Sequence, residues 1–542
     1  MTDDRGTTTK TNFTENVLVT AIRSGTDNGA ELHILDRDSD VWRPRRWAEL
    51  FGTAEAVATR LQARQLRDPP EPIAVIGEPT YELIAIVLGA WMAGRPSTIV
   101  AGPSRLMSLE SWARQADDKM RQLGVSEIFS QGTAAKAMAA QLSDEAVANL
   151  IATDSVAAWP LARSTFATTK CRPGAPAVYQ GTAGSTGTPK AVELSAAAVL
   201  NQIEAVLERQ QYSHGNDILF SWLPLYHDLG LTMLLAGMIT GAPTWIAPAS
   251  AFAKAPFAWP NWLDHSQATV TAAPDFAYSL LARYSRVVQG ADLSQLRVAI
   301  NAGEPIDVDA AEQLIANLAK SGFSPAALCC SYGLAEASCG LTMPQASSGF
   351  SADEFVVNGA TRKSAHLGSA LTGVEIRVVP SDRRVEELSE VRAVGEIEFR
   401  STAQMTGYVG EPPVGTDAWI KTGDLGYLAE EQLVVCGRSK ELITIAGRNI
   451  FPQEVERVAS IVTGIRPGGV AVVSGKGRGA RRDQLIVVAE YLGDAPSATR
   501  QTIVERVSAE CGVTPGAVDF VESLPKTTSG KLRRVEIAAR YQ

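Results

Sequence analysis

The glycine- and threonine-rich stretch from Tyr179 to Lys190 limits the fold more than any other feature of the chain. It holds three glycines, three threonines and a serine, and apolar, strand-like runs precede it at Ala175–Tyr179 and follow it from Ala191. Glycines let backbone N–H groups turn toward one point, and hydroxyls and the terminal ammonium of Lys190 add further donors. The stretch is therefore typical of a loop between two strands that binds a polyphosphate.

Two other interpretations of this loop are a Walker phosphate loop and a hairpin turn without a ligand. The Walker phosphate loop ends in Gly-Lys-Ser/Thr, so that a helix follows at once. Here Pro189 precedes Lys190 and Ala191 follows it, which excludes that pattern. A hairpin turn of the same composition that binds no ligand remains open from this stretch alone.

Length and charge exclude several classes of protein. The chain has 542 residues, a formal net charge of -9 and a pI near 5.4. That length predicts more than one domain, and the acidic balance argues against binding to nucleic acids or anionic membranes. The six cysteines show no Cys-x-x-Cys spacing, and the apolar run Leu83–Ala93 is too short to span a bilayer. With no secretory signal visible, we expect a cytoplasmic protein with reduced thiols and no membrane span.

Apolar patterning predicts two folded domains. The polar segment 1–16 predicts a disordered leader. Beyond it, short apolar strands alternate with helices, as in the run 72–100, which indicates parallel α/β layers. The sequence therefore predicts an α/β fold, with a large N-terminal domain of several subdomains and mixed sheets over 17–436. A small mobile α+β domain is expected over 437–542.

Two motifs follow strand-like runs in the middle of the chain. Asn301–Ile306 and Ser331–Glu336 each place a glycine and a carboxylate at a strand's end, where α/β sheets bind ligands. Tyr332 can stack on a purine, and Glu336 can hold Mg²⁺ beside phosphates. Taken alone, each motif is more often a turn with a capping glutamate.

Four further motifs present polar side chains. His227 stands between apolar shoulders in Leu-Pro-Leu-Tyr-His-Asp-Leu, and Asp424 lies in a turn between glycines, where a carboxylate can accept both ribose hydroxyls. Lys440 follows a Gly-Arg pair, and Lys531 stands behind a glycine near the C-terminus. A buried histidine or a solvated turn explains each of them when it is taken alone.

In this order the motifs resemble those of the adenylate-forming superfamily, from about residue 45 to the C-terminus. Three segments resemble the fatty acyl-AMP ligase branch of that superfamily: 223–231, 273–278 and 447–452. Three others are similar to the mycobactin-type siderophore acyl-AMP ligases of actinobacteria: 180–187, 434–438 and 506–513. The resemblance implies the fold of an adenylate-forming enzyme.

The resemblance also implies binding residues for ATP. The β- and γ-phosphates would contact loop residues, namely Thr182, Ser185, Thr186, Gly187, Thr188 and Lys190. The adenosine part would contact a second set, in which Tyr332 stacks on adenine and the last two hold the ribose: Ala302, Gly303, Glu304, Tyr332, Gly333, Asp424 and Arg438.

The same resemblance assigns the remaining roles. Glu336 and Thr182 would hold Mg²⁺, Lys531 would be the catalytic lysine, and Lys440 would be the hinge of the small domain. His227, the second catalytic candidate, would border the acyl carboxylate.

The implied reaction is the ATP-dependent activation of a medium- or long-chain fatty acid to acyl-AMP, with release of pyrophosphate. The acyl group would then pass to the phosphopantetheine thiol of an acyl carrier protein, for lipidation of a mycobactin-type siderophore. The span between Tyr332 and Gly368 is short for this branch, whose members often carry an insertion that hinders the use of CoA. A fatty acyl-CoA ligase that uses free CoA therefore stays an alternative. A catalytically dead nucleotide-binding protein is disfavoured because Lys531, Glu336 and Asp424 are all present.

The acyl pocket is predicted from two apolar segments. Leu229–Ala236 and Ala272–Leu281 carry mainly apolar side chains, with Asp275 the exception. A small acidic or amino-acid substrate would need a charged partner, so these segments favour a fatty acid. Ordinary core helices remain the other interpretation, since apolar faces usually indicate packing.

Overall fold

The computed structural model describes residues 15–541 with internal gaps. The gaps are 27–28, 37, 65–68, 104–107, 141–148, 161–167, 183–189, 214, 289, 358–359, 381–391, 446–447, 477–482 and 527–531. Residues 1–14 of the predicted leader lie outside the described residues. Asn16 is folded: it is buried, and its side-chain oxygen accepts from the N–H groups of Leu18 and Val19 at the start of the first helix.

A seven-stranded sheet, the first sheet, forms the centre of the larger unit. Its strands are parallel except for the last pair, and short fully buried runs such as Val270–Ala273 suit a sheet covered on both faces. The order across the sheet is Leu328–Cys330, Val298–Asn301, Val270–Ala273, Leu219–Ser221, Thr244–Ile246, Glu31–Asp36 and Val41–Arg46. The helices that follow or flank these strands are Val17–Thr26, Ala196–Arg209, Asp228–Thr240, Ala249–Lys254, Trp259–Ser266, Asp275–Arg283 and Val308–Leu318.

A second seven-stranded sheet carries the glycine-rich loop. Its order is Gly407–Tyr408, Ala191–Ser195, Pro176–Gly181, Ser97–Val100, Ile73–Ile76, Glu127–Ser130 and Leu150–Ala152. The helices of this part are Trp47–Ala63, Tyr81–Met92, Leu109–Gln122 and Gly132–Ala139. The parallel strand–helix–strand unit predicted within 72–100 is confirmed.

Three smaller antiparallel sheets complete the larger unit, so the predicted mixture of sheets is confirmed. One has four strands: Val374–Pro380, Gly395–Ser401, Ile420–Ala429 and Gln432–Arg438. Another has three: Tyr332–Gly333, Gly340–Met343 and Ser369–Ala370. The later part of the span predicted to be short for the acyl-AMP branch, 332–368, forms a two-stranded hairpin, Ala352–Val357 with Ala360–Ala365, called the 352–365 hairpin below.

The chain after Arg438 packs around a core of its own. Val455, Val458, Val487, Ile503 and Val507 are fully buried there and belong to a separate apolar cluster. The elements are a β-hairpin, a three-stranded sheet and three helices: Ile443–Ile445, Arg448–Ile450, Pro452–Ser460, Ile465–Gly475, Gln484–Tyr491, Pro496–Cys511, Ala517–Val521 and Arg534–Ala538. We therefore propose the domain boundary at 437, at the end of the strand Gln432–Arg438.

The two units meet in an apolar contact and an ion pair. Phe355 of the 352–365 hairpin and Leu425 pack with Phe451, which precedes the helix Pro452–Ser460. Arg457 on that helix lies 3.0 Å from the carboxylate of Asp309 in the larger unit. The ion pair is half-exposed and adds little, so the apolar cluster is the stronger link. Among the described helices, a bilayer-spanning segment is not found.

Candidate active site

One cavity of about 2460 Å³ lies between the carboxyl ends of the first sheet, the four-stranded sheet and the C-terminal unit. All predicted site residues within the described chain line it: Thr182, Lys190, His227, Ala302, Gly303, Glu304, Tyr332, Gly333, Glu336, Asp424, Arg438 and Lys440. Ser185, Thr186, Gly187, Thr188 and Lys531 lie outside the described residues. Motifs spread over more than 250 residues of sequence therefore meet in one place, while the role of each residue stays a prediction.

The stem of the glycine-rich loop is a closed hairpin. The backbone N–H and the hydroxyl of Thr182 both donate to the carbonyl oxygen of Lys190, at 2.9 and 3.0 Å. Gln180 is buried and donates at 2.6 Å to the carbonyl of Tyr226, which ties this strand to the segment before His227. The two ends of the loop are thus held together at the cavity wall.

Lys190 and Glu336 are joined through a tyrosine that sequence reasoning missed. The hydroxyl of Tyr408 donates at 2.8 Å to Glu336, while the ammonium of Lys190 lies 4.7 Å above the centre of the Tyr408 ring. Lys190 is also 2.6 Å from the carboxylate of Glu411. Tyr408 stands in Met-Thr-Gly-Tyr, where no residue pattern signals a chemical role.

The oxygen donors on the cavity wall decide whether Mg²⁺ could bind there. Within the described part of the chain, no cluster of three or more His, Cys, Asp or Glu side chains could hold a metal by itself. Mg²⁺ bound beside phosphates needs only one or two protein carboxylates, because phosphate oxygens and waters complete its shell. Glu336 and the hydroxyl of Thr182, both on the cavity wall, fit that kind of nucleotide-dependent site.

Tyr332, Asp424 and Arg438 form a hydrogen-bonded group. The hydroxyl of Tyr332 donates to Asp424 at 2.6 Å, and the Nε of Arg438 lies 3.2 Å from the other carboxylate oxygen. Asp424 and Arg438 are direct cross-strand partners, and the left-handed Gly423 turns the chain beside them. Burial raises the pKa of Asp424, while Arg438 and the Tyr332 hydroxyl oppose that shift. The carboxylate is held in place at the cavity wall, as a ribose-binding group requires.

The motif Asn301–Ile306 lines the cavity and also supplies a helix cap. Gly303 is left-handed, with φ of 83°, and lines the cavity with Ala302 and Glu304. The carboxylate of Glu304 accepts from the backbone N–H of Phe276 at 3.1 Å, in the first turn of the helix Asp275–Arg283. Glu304 is therefore a helix cap, and that contact fixes the shape of the cavity wall.

His227 and Lys440 lie at the ends of regular elements. His227 is the residue before the helix Asp228–Thr240, and its backbone N–H donates to Pro224 at 3.1 Å. Its ring centre is 4.8 Å from that of Tyr226. Lys440 lies in the 3₁₀ turn Ser439–Glu441, directly after the strand that contains Arg438. A turn between the two units is the position expected for a hinge.

The neighbours of Lys531 lie at the same cavity. Lys526 and Leu532 pair as an antiparallel bridge across the segment 527–531, and both line the cavity. The ammonium of Lys526 donates to the carbonyl of Gly468 at 2.9 Å, which anchors that side of the bridge. Leu532 lies next to Lys531 in sequence, and Lys531 itself lies outside the described residues.

Both segments predicted to line an acyl pocket contribute side chains to the cavity. The apolar ones are Leu229, Met233, Ala236, Pro274, Phe276 and Leu280. Asp275 is only 7% exposed, and its carboxylate accepts from the Asn301 amide at 2.8 Å and from Ser279 at 3.1 Å. Burial raises the pKa of Asp275 to about 7, although both hydrogen bonds act in the opposite direction.

This buried carboxyl gives a prediction for Asp275→Asn. The pKa of Asp275 is about 7 in the folded state and about 3.8 in the unfolded state. The contribution of this carboxyl group to the free energy of unfolding is therefore fully present below pH 4 and is lost as the pH rises through 7. The variant cannot ionise, so we expect its free energy of unfolding to exceed that of the wild type by about 2–4 kcal/mol at pH 8.5. The difference should vanish near pH 3.5. Urea unfolding at several pH values measures it.

Asp118→Asn is the control, since Asp118 is exposed on the helix Leu109–Gln122. A gain that stays constant between pH 4 and 8.5 would contradict the assignment, because an uncharged packing effect does not titrate.

Comparisons with known proteins show where this fold occurs. A solved structure from a study of the fatty acyl-adenylate ligases of E. coli and L. pneumophila matches with a TM-score of 0.86 and 26% identity, over 97% of each chain. The fatty acyl-adenylate ligase of L. pneumophila in complex with acyl adenylate and pyrophosphate has the same fold, with a TM-score of 0.69 at 22% identity over 96% of this chain and 95% of that one. The fold is that of an adenylate-forming ligase.

The family follows from sequence comparison. A family model described as AMP-binding enzyme matches residues 31–409, and the chain belongs to this family. A Mycobacterium tuberculosis protein named as a ligase is 30% identical over 522 residues, which are 90% of this chain and 93% of that protein. FadD30 of the same organism, named as a long-chain-fatty-acid–AMP ligase, is 30% identical over 413 residues, 67% of this chain and 69% of its own. The predicted superfamily is confirmed.

Proposed function

We propose that the protein activates a medium- or long-chain fatty acid as acyl-AMP, with release of pyrophosphate. The observation that carries the proposal is the single cavity, in which phosphate- and ribose-binding candidates share a wall with apolar side chains of the predicted acyl segments. The relatives named as fatty-acid AMP ligases support the same substrate class. We also propose that the reaction takes place in the cytoplasm, because it consumes ATP.

The chemistry needs positioning and charge neutralisation. The fatty carboxylate attacks the α-phosphorus of ATP, an acyl–oxygen–phosphorus bond forms, and the bond to the β-phosphate breaks to release pyrophosphate. Asp424 and Arg438 hold the ribose, Tyr332 packs on adenine, and the loop beginning at Thr182 binds the β- and γ-phosphates. An oriented pair of reactants gains most of its rate from this alignment.

Charge that develops during attack has to be stabilised by fixed donors. Lys531 offsets it on the oxygens around the α-phosphorus, as a compact, movable ammonium can. Lys190 does so at the pyrophosphate end, with Tyr408 and Glu411 holding it in position. Mg²⁺, when bound by Glu336 and Thr182, would add charge neutralisation on the phosphate oxygens. His227 lies at the start of an apolar helix and borders the reacting carboxylate.

We propose the phosphopantetheine thiol of an acyl carrier protein as the acceptor. The C-terminal unit would rotate about Lys440 after adenylation, so that the thiol can reach the acyl-adenylate. The 352–365 hairpin supports this choice, because its Phe355 packs on Phe451 and opposes rotation unless a protein partner assists it. The likeness of three sequence segments to mycobactin-type ligases supports a carrier in siderophore lipidation. A fatty acyl-CoA ligase remains the second candidate, since the hairpin is short.

The test is pyrophosphate exchange into ATP with a panel of acids, followed by transfer to either free CoA or a phosphopantetheinylated carrier protein. We expect exchange with dodecanoate and longer acids, little with amino acids, and faster acylation of the carrier than of CoA. Faster exchange with an amino acid than with dodecanoate would overturn the acyl assignment. Equal rates for CoA and carrier would favour the CoA ligase.

A further inference from the structure

The cavity extends beyond the reacting centre along the strands of the first sheet. It is lined at Pro274, directly after the strand Val270–Ala273, and also at Val270, where that strand begins. A strand rises about 3.3 Å per residue, so the two ends lie roughly 10 Å apart. Trp222 and Leu219 line it in the same way at both ends of the neighbouring strand. This branch is long enough for the tail of an acyl chain.

Apolar side chains form much of the wall of this branch. Val206, Leu219, Val270 and Met343 line it, and a buried amide, Gln210, stands among them. Gln210 is 4% exposed and directly follows the helix Ala196–Arg209. A long polar side chain at this depth is unexpected in a wall that only packs against hydrocarbon.

The amide of Gln210 lacks good partners within the part of the chain that the structure describes. Its oxygen is buried there without a hydrogen bond. Its nitrogen faces the sulfur atoms of Cys329, at 3.5 Å, and Met343, which are weak acceptors. The backbone groups of Gln210 have partners: its N–H donates to the carbonyl of Val206, and its carbonyl accepts from the guanidinium of Arg297.

Burying such an amide costs free energy if nothing binds to it. A buried polar group without a partner destabilises the fold, whereas leucine or methionine of similar size would fill the same space without that penalty. A hydroxyl on the ligand would donate to the amide oxygen and accept from the amide nitrogen, in place of the sulfur contacts. The arrangement therefore indicates a polar ligand atom at this end of the branch.

We infer that the preferred acyl substrate carries a hydrogen-bonding group, a hydroxyl in its simplest form, near the end remote from the carboxylate. The inference rests on the proposed function, because it assumes that the carboxylate reacts beside His227 and the tail enters the branch. Gln210 is then a specificity-determining residue. Sites that bind a substrate hydroxyl discriminate strongly against analogues without it, because the buried protein group is left unpaired.

The test uses matched pairs of acids from eight to sixteen carbons, each with and without a hydroxyl at the terminal carbon. Pyrophosphate exchange gives kcat/KM for both members of a pair. We expect the ratio of hydroxylated to plain acid to reach about 10- to 100-fold at the best chain length. Gln210→Leu should bring that ratio to one or below, while exchange with the plain acid is kept or increased. Gln501→Leu, on an exposed surface of the C-terminal unit, should leave the ratio unchanged.

Three outcomes overturn the inference. The first is that the plain acid is used at least as fast as the hydroxylated acid at every chain length, which would mean that water alone hydrogen-bonds to the amide. The second is that the ratio of hydroxylated to plain acid is the same in the wild type and in Gln210→Leu. If leucine impairs folding, Gln210→Met, which is closer in shape to glutamine, replaces it in this comparison. The third is that exchange is absent with both members of every pair, and in that case the proposed function fails as well. Activity with plain acids alone leaves the proposed function standing and removes only this inference.

Discussion

Lys531→Ala is expected to slow adenylation by about two to four orders of magnitude, the scale for removing one transition-state donor. In the proposed mechanism, the ammonium acts while the carboxylate attacks phosphorus and charge spreads over the oxygens around it. Thioester formation from pre-made acyl-adenylate should change far less, because the phosphorus–oxygen chemistry is already complete. Pyrophosphate exchange and single-turnover acyl transfer measure the two half-reactions separately.

Lys476→Ala is the matched control, since it removes the same charge from an exposed position in the same unit. Its exchange rate should equal that of the wild type. An equal loss of both half-reactions in Lys531→Ala would contradict the assigned role, because a general defect in folding or binding affects both.

Asp424→Asn should lower kcat/KM for ATP by about 100- to 1,000-fold. The carboxylate would accept two ribose hydroxyls, and each hydrogen bond to a charged group contributes roughly 1.5–3 kcal/mol. Because the amide keeps one acceptor oxygen but loses the charge, the expected loss is about 3–4 kcal/mol, less than both bonds together. The amide oxygen can still accept from Tyr332, at 2.6 Å in the wild type, so the local fold should persist. Most of the loss should appear in KM, because the ribose contacts exist in the bound state as well as in the transition state.

Asp417→Asn provides the comparison, because Asp417 is an exposed carboxylate a few residues earlier in the chain. Calorimetric binding of ATP to both variants separates affinity from turnover. Unchanged ATP affinity in Asp424→Asn would show that Asp424 serves only the hydrogen-bonded group with Tyr332 and Arg438.

Local pattern was sufficient for much of the fold. The unit within 72–100 could be predicted because Ile73–Ile76 is a short buried run, Tyr81 begins a helix capped by Thr80, and Ser97 starts the next strand. Each of these signals lies within a few neighbouring residues. Several candidate site residues that line the cavity could be proposed in the same way, since glycine-flanked carboxylates at strand ends are local features, and their roles stay predictions.

Long-range pairing limited what the sequence could predict. Tyr408 reaches Glu336 only because the strand Gly407–Tyr408 pairs with Ala191–Ser195, which lies more than two hundred residues earlier. Gln210 lies outside every motif, and its burial depends on how Cys329 and Met343 pack around it. Glu304 shows a further limit, because cap and cavity wall are compatible functions that a motif cannot separate.

In the proposed mechanism, the contact between Phe355 and Phe451 would set the fraction of molecules ready for the acceptor step. Exposing one buried aromatic side chain costs about 1.5–3 kcal/mol, and each 1.4 kcal/mol is a factor of ten. Any rotation of the C-terminal unit about Lys440 would separate these rings, so only about one to ten molecules in a hundred would be ready for the thiol at a given moment. A carrier that binds the rotated state selectively offsets this cost, and its apparent affinity is weakened by the same factor. A thiol acceptor that binds both states equally leaves this population unchanged.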